Sequence, residues 1–154
     1  MNTVVKTILI VDDSPKDVEL TISALSEKNL ANEVVVAEDG VEALDYLHKR
    51  GKFAGYGNGN PAVILLDIKM PRMYGIEVLR YIRADPKFML IPVIMVTSSG
   101  EEKDLVESYK LGANSYVVKP VDIVKFIDAI KVLGQYWAVI NQSPPVRNKV
   151  LMNS

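Results

Sequence analysis

The sequence predicts an α/β fold, a parallel sheet with helices on both faces, and two patterns carry that prediction. Five short apolar runs, at 7–11, 34–37, 62–66, 92–96 and 115–118, alternate with amphipathic stretches. Several of the runs are near-continuous Val, Ile and Leu, as in strands buried on both faces. Helical segments begin near Pro15, Gly40, Gly75, Glu101 and Asp122, which gives a (βα)5 order. Parallel strands joined in this way need right-handed crossovers, so the helices fall on both sides of the sheet.

Local signals support the individual elements. Ser14 before Pro15 is a suitable N-cap and first helical position, since proline has no N–H to leave unpaired there. Asp122 caps the last helix in the same way, and Gly112 is a C-terminal stop after the 105–111 segment. One domain is expected over 1–142, with a short tail at 143–154 that begins at the Pro144-Pro145 break. The Gly/Asn-rich stretch 51–61 reads as a mobile surface loop.

Composition narrows the function. The chain has 154 residues, a net charge of −1, 49% hydrophobic residues and no cysteine. Near-neutral charge gives no reason to expect nucleic acid or an anionic membrane as a partner. Lack of cysteine removes disulfides and thiolate chemistry and suits a reducing compartment. The first strand arrives too early for a secretory signal and the apolar runs are too short to cross a bilayer, so a cytoplasmic location is expected.

In a doubly wound sheet, ligands bind outside the carboxyl ends of the strands. Asp12 and Asp13 end the first run, Asp67 the third, Thr97 the fourth and Lys119 the fifth. Neighbouring strands lie ~4.8 Å apart, so these side chains can converge. Two ionised carboxylates at ~4 Å repel by about 4 kcal/mol at an effective dielectric near 20. Such a group calls for a hard divalent cation with oxygen ligands, and Mg2+ is suited to one or two carboxylates plus water and phosphate. The three acids contribute −3, which Mg2+ and Lys119 together balance. Taken singly, Asp12 and Asp13 also suit the entrance to a helix, where negative charge is favourable.

At these residues the chain resembles the receiver domain of two-component response regulators. The matching elements are Ile-Leu-Ile-Val-Asp12-Asp13, Asp67-Ile-Lys-Met-Pro71-Arg-Met-Tyr-Gly75, Val96-Thr97-Ser98 and Val-Val-Lys119-Pro120. The resemblance implies the flavodoxin-like strand order 2-1-3-4-5, with an extended last helix. It implies Asp67 as phosphoacceptor, and Mg2+ (or Mn2+) held by Asp13, Asp67 and the Lys69 carbonyl, with Asp12 acting mainly through water. Thr97 and Lys119 would bind phosphoryl oxygens, Tyr116 would be the switch aromatic, and Lys69 and Ser99 would tune phosphoryl lifetime. The Lys119–Pro120 bond would be cis. His48, the only histidine, is placed on a helix far from the strand ends, as a solvated surface residue.

The last helix carries an inner stripe of Ile123, Phe126, Ile127, Ile130, Leu133, Trp137 and Ile140. Val124, Val132, Tyr136 and Val139 fall on other faces, as a candidate dimer surface or a seat for the tail. The long last helix and the long loop before the third strand resemble stand-alone regulators paired with phytochrome-like histidine kinases. That implies a homodimer through the fourth helix, fifth strand and fifth helix. It also implies a switch that catalyses only its own phosphorylation and dephosphorylation. A small Mg2+-dependent aspartyl-phosphate phosphohydrolase is the alternative, but Lys69 stands where its general acid would be. A nucleotide or flavin binder would need a Gly-rich loop after the first strand, where Asp-Asp-Ser-Pro stands instead.

Overall fold

The computed structural model describes residues 7–27, 33–57, 59–119, 123–134 and 136. In chain order the elements are β1 (Thr7–Val11), α1 (Pro15–Glu27), β2 (Glu33–Ala37), α2 (Gly40–His48) and β3 (Val63–Leu66). They continue with α3 (Gly75–Ala84), β4 (Val93–Thr97), α4 (Glu102–Lys110), β5 (Ser115–Val118) and α5 (Ile123–Gly134). The strands form one parallel sheet in the order β2-β1-β3-β4-β5, the expected flavodoxin-like topology. Observed strand bounds differ from the apolar runs by one residue at β2, β3 and β4. Pro92 illustrates the cause at β4. It has no N–H to donate, so it lies just outside the strand while its carbonyl accepts from Ile64 N–H at 2.9 Å.

Period-two alternation divides each strand between two cores. Leu9, Val11, Ile64, Leu66, Val93 and Met95 face a cluster with Leu44, Leu47, Val78, Leu79 and Ile82 of α2 and α3. Ile8, Ile10, Val63, Leu65, Ile94 and Val96 face Ala24 and Leu25 of α1 and Ile130 of α5. Two-sided burial is therefore why the strands read as continuous apolar runs. Each fully buried Leu or Ile contributes about 1.5–3 kcal/mol.

The caps behave as expected where they are described. Ser14 Oγ accepts from Asp17 N–H at 3.3 Å. Gly112 takes φ 95°, which lets Ala113 N–H reach the Ser108 carbonyl at 2.9 Å and close α4. Asp122, Trp137, Val139, Ile140, the Lys119–Pro120 bond and the 143–154 tail lie outside the described residues. Among the described positions of the candidate dimer surface, Val124, Val132 and Tyr136 are 67%, 68% and 46% exposed. Among the described residues, no helix is long and apolar enough to cross a membrane.

One expectation is corrected. The 51–61 stretch is not simply a loose surface loop, because it opens with a 3-10 turn at Gly51–Phe53 that buries the Phe53 ring to 3% exposure. That ring packs edge-on against Tyr46 and Tyr56, at centroid distances of 5.4 and 5.3 Å. His48 is partly exposed at the surface and has partners there. Its Nε2 shares a 2.7 Å hydrogen bond with the Tyr81 hydroxyl, and its ring meets Phe88 edge-on at 5.0 Å. Burial and the nearby Arg50 and Lys87 charges hold its pKa below the ordinary value.

Candidate functional site

Sheet register brings the acids together. Val11 and Leu66 are paired across β1 and β3, so Asp12 and Asp67 follow side by side. Asp67 N–H donates to the Val11 carbonyl at 2.9 Å, and Lys119 N–H donates to the Thr97 carbonyl at 2.7 Å. The strand-end residues are thus fixed by the last rungs of the ladder.

One oxygen of each buried acid is held by the backbone. Asp12 Oδ1 accepts from Ser14 N–H at 2.9 Å, and Asp67 Oδ1 accepts from Ile68 N–H at 2.7 Å. The other oxygens take the Lys119 ammonium, which donates to Asp12 Oδ2 at 2.8 Å and Asp67 Oδ2 at 3.1 Å. Its third bond goes to Asp17 Oδ2 at 2.9 Å, and an ammonium has only three N–H donors. Burial pushes the Asp12 pKa above the ordinary value despite the hydrogen bonds from Lys119 and Ser14. Burial alone would lower the Lys119 pKa, but the hydrogen bonds it donates to Asp12 and Asp17 and the Asp12 and Asp67 charges hold it well above the ordinary value. Asp17 was not among the residues singled out from sequence. Counting from the Ser14 cap would have placed it in the first turn of α1, next to the site.

Asp12, Asp13 and Asp67 each offer an oxygen, and these oxygens lie within 4.8 Å of one another. Asp13 is exposed, while Asp12 and Asp67 are buried. An all-oxygen donor set of this size fits a hard divalent ion, Mg2+ or Mn2+. Gly75 starts α3 against this site, donating its N–H to the Ile68 carbonyl at 2.8 Å. A Cβ at Gly75 would overlap the Asp67 carbonyl oxygen and stand 2.9 Å from Ile68 Cα. Lys69 points its ammonium to solvent, 4.0 Å from Glu101.

Thr97 is fully buried at the end of β4, and its Oγ1 accepts from Ser99 N–H at 3.2 Å. Tyr116, half-buried on β5, donates its hydroxyl to the Ser99 carbonyl at 2.8 Å. Ser99 Oγ in turn donates to Asp104 of α4. Ser99 therefore joins Thr97, Tyr116 and α4.

A second contact, also unforeseen from sequence, holds the segment after Asp67. Arg72 takes a left-handed φ of 66° and donates Nε to Asp39 Oδ2 at 2.7 Å. Asp39 caps α2, its other oxygen accepting from Glu42 N–H at 2.9 Å. Burial would raise the Asp39 pKa, but the Arg72 and Glu42 hydrogen bonds outweigh it and hold the carboxyl low. A carboxyl held low in the fold stabilises above its ordinary range, and the benefit is lost as pH falls through the folded value. Arg72→Ala is therefore expected to melt a few degrees below wild type near pH 7. That gap should close below about pH 4, as thermal melts across this range would show.

Comparison with known proteins agrees with this geometry. Residues 8–131 match the family described as response regulator receiver domain. The chain belongs to that family. This receiver domain is similar to response regulator Rcp1 of Synechocystis sp., at 31% identity over 132 residues, 86% of this chain and 88% of Rcp1. The structure of the Mn2+-bound form of Rcp1 has a TM-score of 0.84 at 30% identity, covering 91% of this chain and 99% of that one. The phosphorylated cyanobacterial phytochrome response regulator RcpA gives a TM-score of 0.85 at 33% identity, covering 92% and 100% of the two chains. The bacteriophytochrome response regulator AtBRR is 51% identical, with a TM-score of 0.72 and coverage of 91% and 100%.

Proposed function

We propose that this receiver domain is a phosphorylation switch that takes a phosphoryl group from a sensor histidine kinase onto Asp67 and signals by protein contacts. The observation that supports it is the convergence of Asp12, Asp13 and Asp67 with Lys119 at one sheet edge. Asp12, Asp13, Asp67 and the Lys69 backbone carbonyl would hold Mg2+ or Mn2+, which when bound neutralises charge on the transferring phosphoryl group. The Asp67 carboxylate is the nucleophile, with Oδ1 oriented by Ile68 N–H and Oδ2 by Lys119. A bond forms from one Asp67 carboxylate oxygen to phosphorus as the bond from phosphorus to the donor nitrogen breaks, its electron pair leaving with the donor imidazole.

Lys119 then pairs with a phosphoryl oxygen, and the Thr97 hydroxyl donates to another. Movement of Thr97 passes through Ser99 to Tyr116 and α4, a shift between two local packings. Lys69 and Ser99 flank the acceptor and set how readily water reaches it. The relatives named for phytochrome systems favour a phytochrome-like kinase as partner. A homodimer through α4, β5 and α5 accounts for exposed Tyr109, Val118, Val124 and Val132. Scattering that gave a monomer at high micromolar concentration, with and without a phosphoryl mimic, would end the dimer assignment.

The decisive experiment is incubation with acetyl phosphate and Mg2+, followed by mapping of the modified residue by mass spectrometry. Phosphate on Asp67 is expected, absent with chelator and absent in Asp67→Asn. Modification elsewhere, or turnover of many phosphate esters, would replace this reading with the phosphohydrolase.

A further inference from the structure

We propose that Asp17 is a positioning residue that holds the Lys119 ammonium when a divalent ion binds among Asp12, Asp13 and Asp67. The inference rests on the metal-dependent switch proposed above and deepens it.

All three ammonium bonds are in use, to Asp12, Asp17 and Asp67. Two of those acceptors, Asp12 and Asp67, also belong to the group of acids close enough to share an ion, and Asp17 does not. Lys119 bonds one oxygen of each of these two acids, so an ion brought among the same carboxylates stands beside the ammonium. A +2 and a +1 charge drawn to the same carboxylates repel, and the ammonium must yield. Without Asp17 it would leave toward water and the site would lose the cation that later meets the phosphoryl group. With Asp17 it keeps one charge-assisted bond on the side away from the ion.

The carboxylate is placed for this. Asp17 N–H donates to the Ser14 Oγ cap at 3.3 Å, and its carbonyl accepts from the buried Thr21 hydroxyl at 2.8 Å. It stands on α1, an element that supplies no other group to the site. Its side chain is 31% exposed, against 8% for Asp12 and Asp67, so it holds the charged form at the least desolvation cost of the three.

Any carboxylate near a cation site strengthens metal binding, so the test isolates the part that acts through Lys119. Mg2+ affinity is measured by calorimetry on the full chain for wild type, Asp17→Ala, Lys119→Met and the double variant. In the wild-type background Asp17→Ala should weaken Mg2+ at least about five-fold more than it does in the Lys119→Met background, the signature of direct coupling. Asp17→Glu should restore affinity to within about two-fold in the wild-type background alone. Equal weakening in both backgrounds, or none in either, overturns the proposal and leaves the switch intact. Failure of wild type to bind Mg2+ overturns the switch as well. Circular dichroism identifies any unfolded variant, and Asp17→Asn, which keeps an oxygen acceptor, then takes the place of Asp17→Ala.

Discussion

Gly75→Ala is expected to destabilise the fold by more than about 3 kcal/mol and to abolish measurable Mg2+ binding. The added methyl meets backbone and not a flexible side chain: the Asp67 carbonyl oxygen, with Asp67 C at 2.8 Å and Ile68 Cα at 2.9 Å. No rotamer change relieves such an overlap. Either α3 retreats, losing the 2.8 Å bond from Gly75 N–H to the Ile68 carbonyl, or the Asp67 backbone shifts away from Val11. The second route misplaces the Asp67 carboxylate. Denaturant titration reads the stability loss, and calorimetry reads metal binding. A variant with wild-type stability and affinity would show that α3 does not depend on this approach.

The second large effect is at Lys119, and it has opposite signs in two assays. Lys119→Met is expected to bind Mg2+ more tightly, because it frees Asp12 Oδ2 and Asp67 Oδ2, and to accept phosphate about 10²–10³-fold more slowly. Transfer slows because a preorganised cation no longer faces the phosphoryl oxygens. With chelator present, the variant should lose about 3–5 kcal/mol of stability near neutral pH, since two buried carboxylates are left without their cation. Mg2+ should recover much of that loss. So should acid: Asp12, already pushed above its ordinary pKa, then takes a proton and stops repelling Asp67. Stopped-flow phosphorylation and denaturant melts with and without Mg2+ separate these effects. Weaker metal binding in Lys119→Met would show that the ammonium and the ion do not compete.

What could be read from the chain alone, and what could not, divides along physical lines. The sheet was legible because burial on two faces makes runs such as Ile-Leu-Ile-Val apolar throughout, a signal carried by consecutive residues. Asp12, Asp67, Thr97 and Lys119 were legible because parallel topology sends every strand end to one edge. Asp17 was hidden because its role depends on how α1 is rotated over the sheet, which a helical pattern sets only to within a face. Arg72 and Asp39 are 33 positions apart, and neither type nor spacing marks them as partners. Phe53 sits among glycines that read as a loop, yet Tyr46 on α2 supplies its wall. The partners of His48 were hidden because Tyr81 and Phe88 come from other segments.

The ammonium lodged among three carboxylates has one more implication. The chain carries its own counterion for the buried acids, so its native state is expected to persist in chelator. On the proposed switch, divalent ions would then add stability only through binding to the folded site, so the amount of folded chain and the amount able to take a phosphoryl group would answer to separate controls.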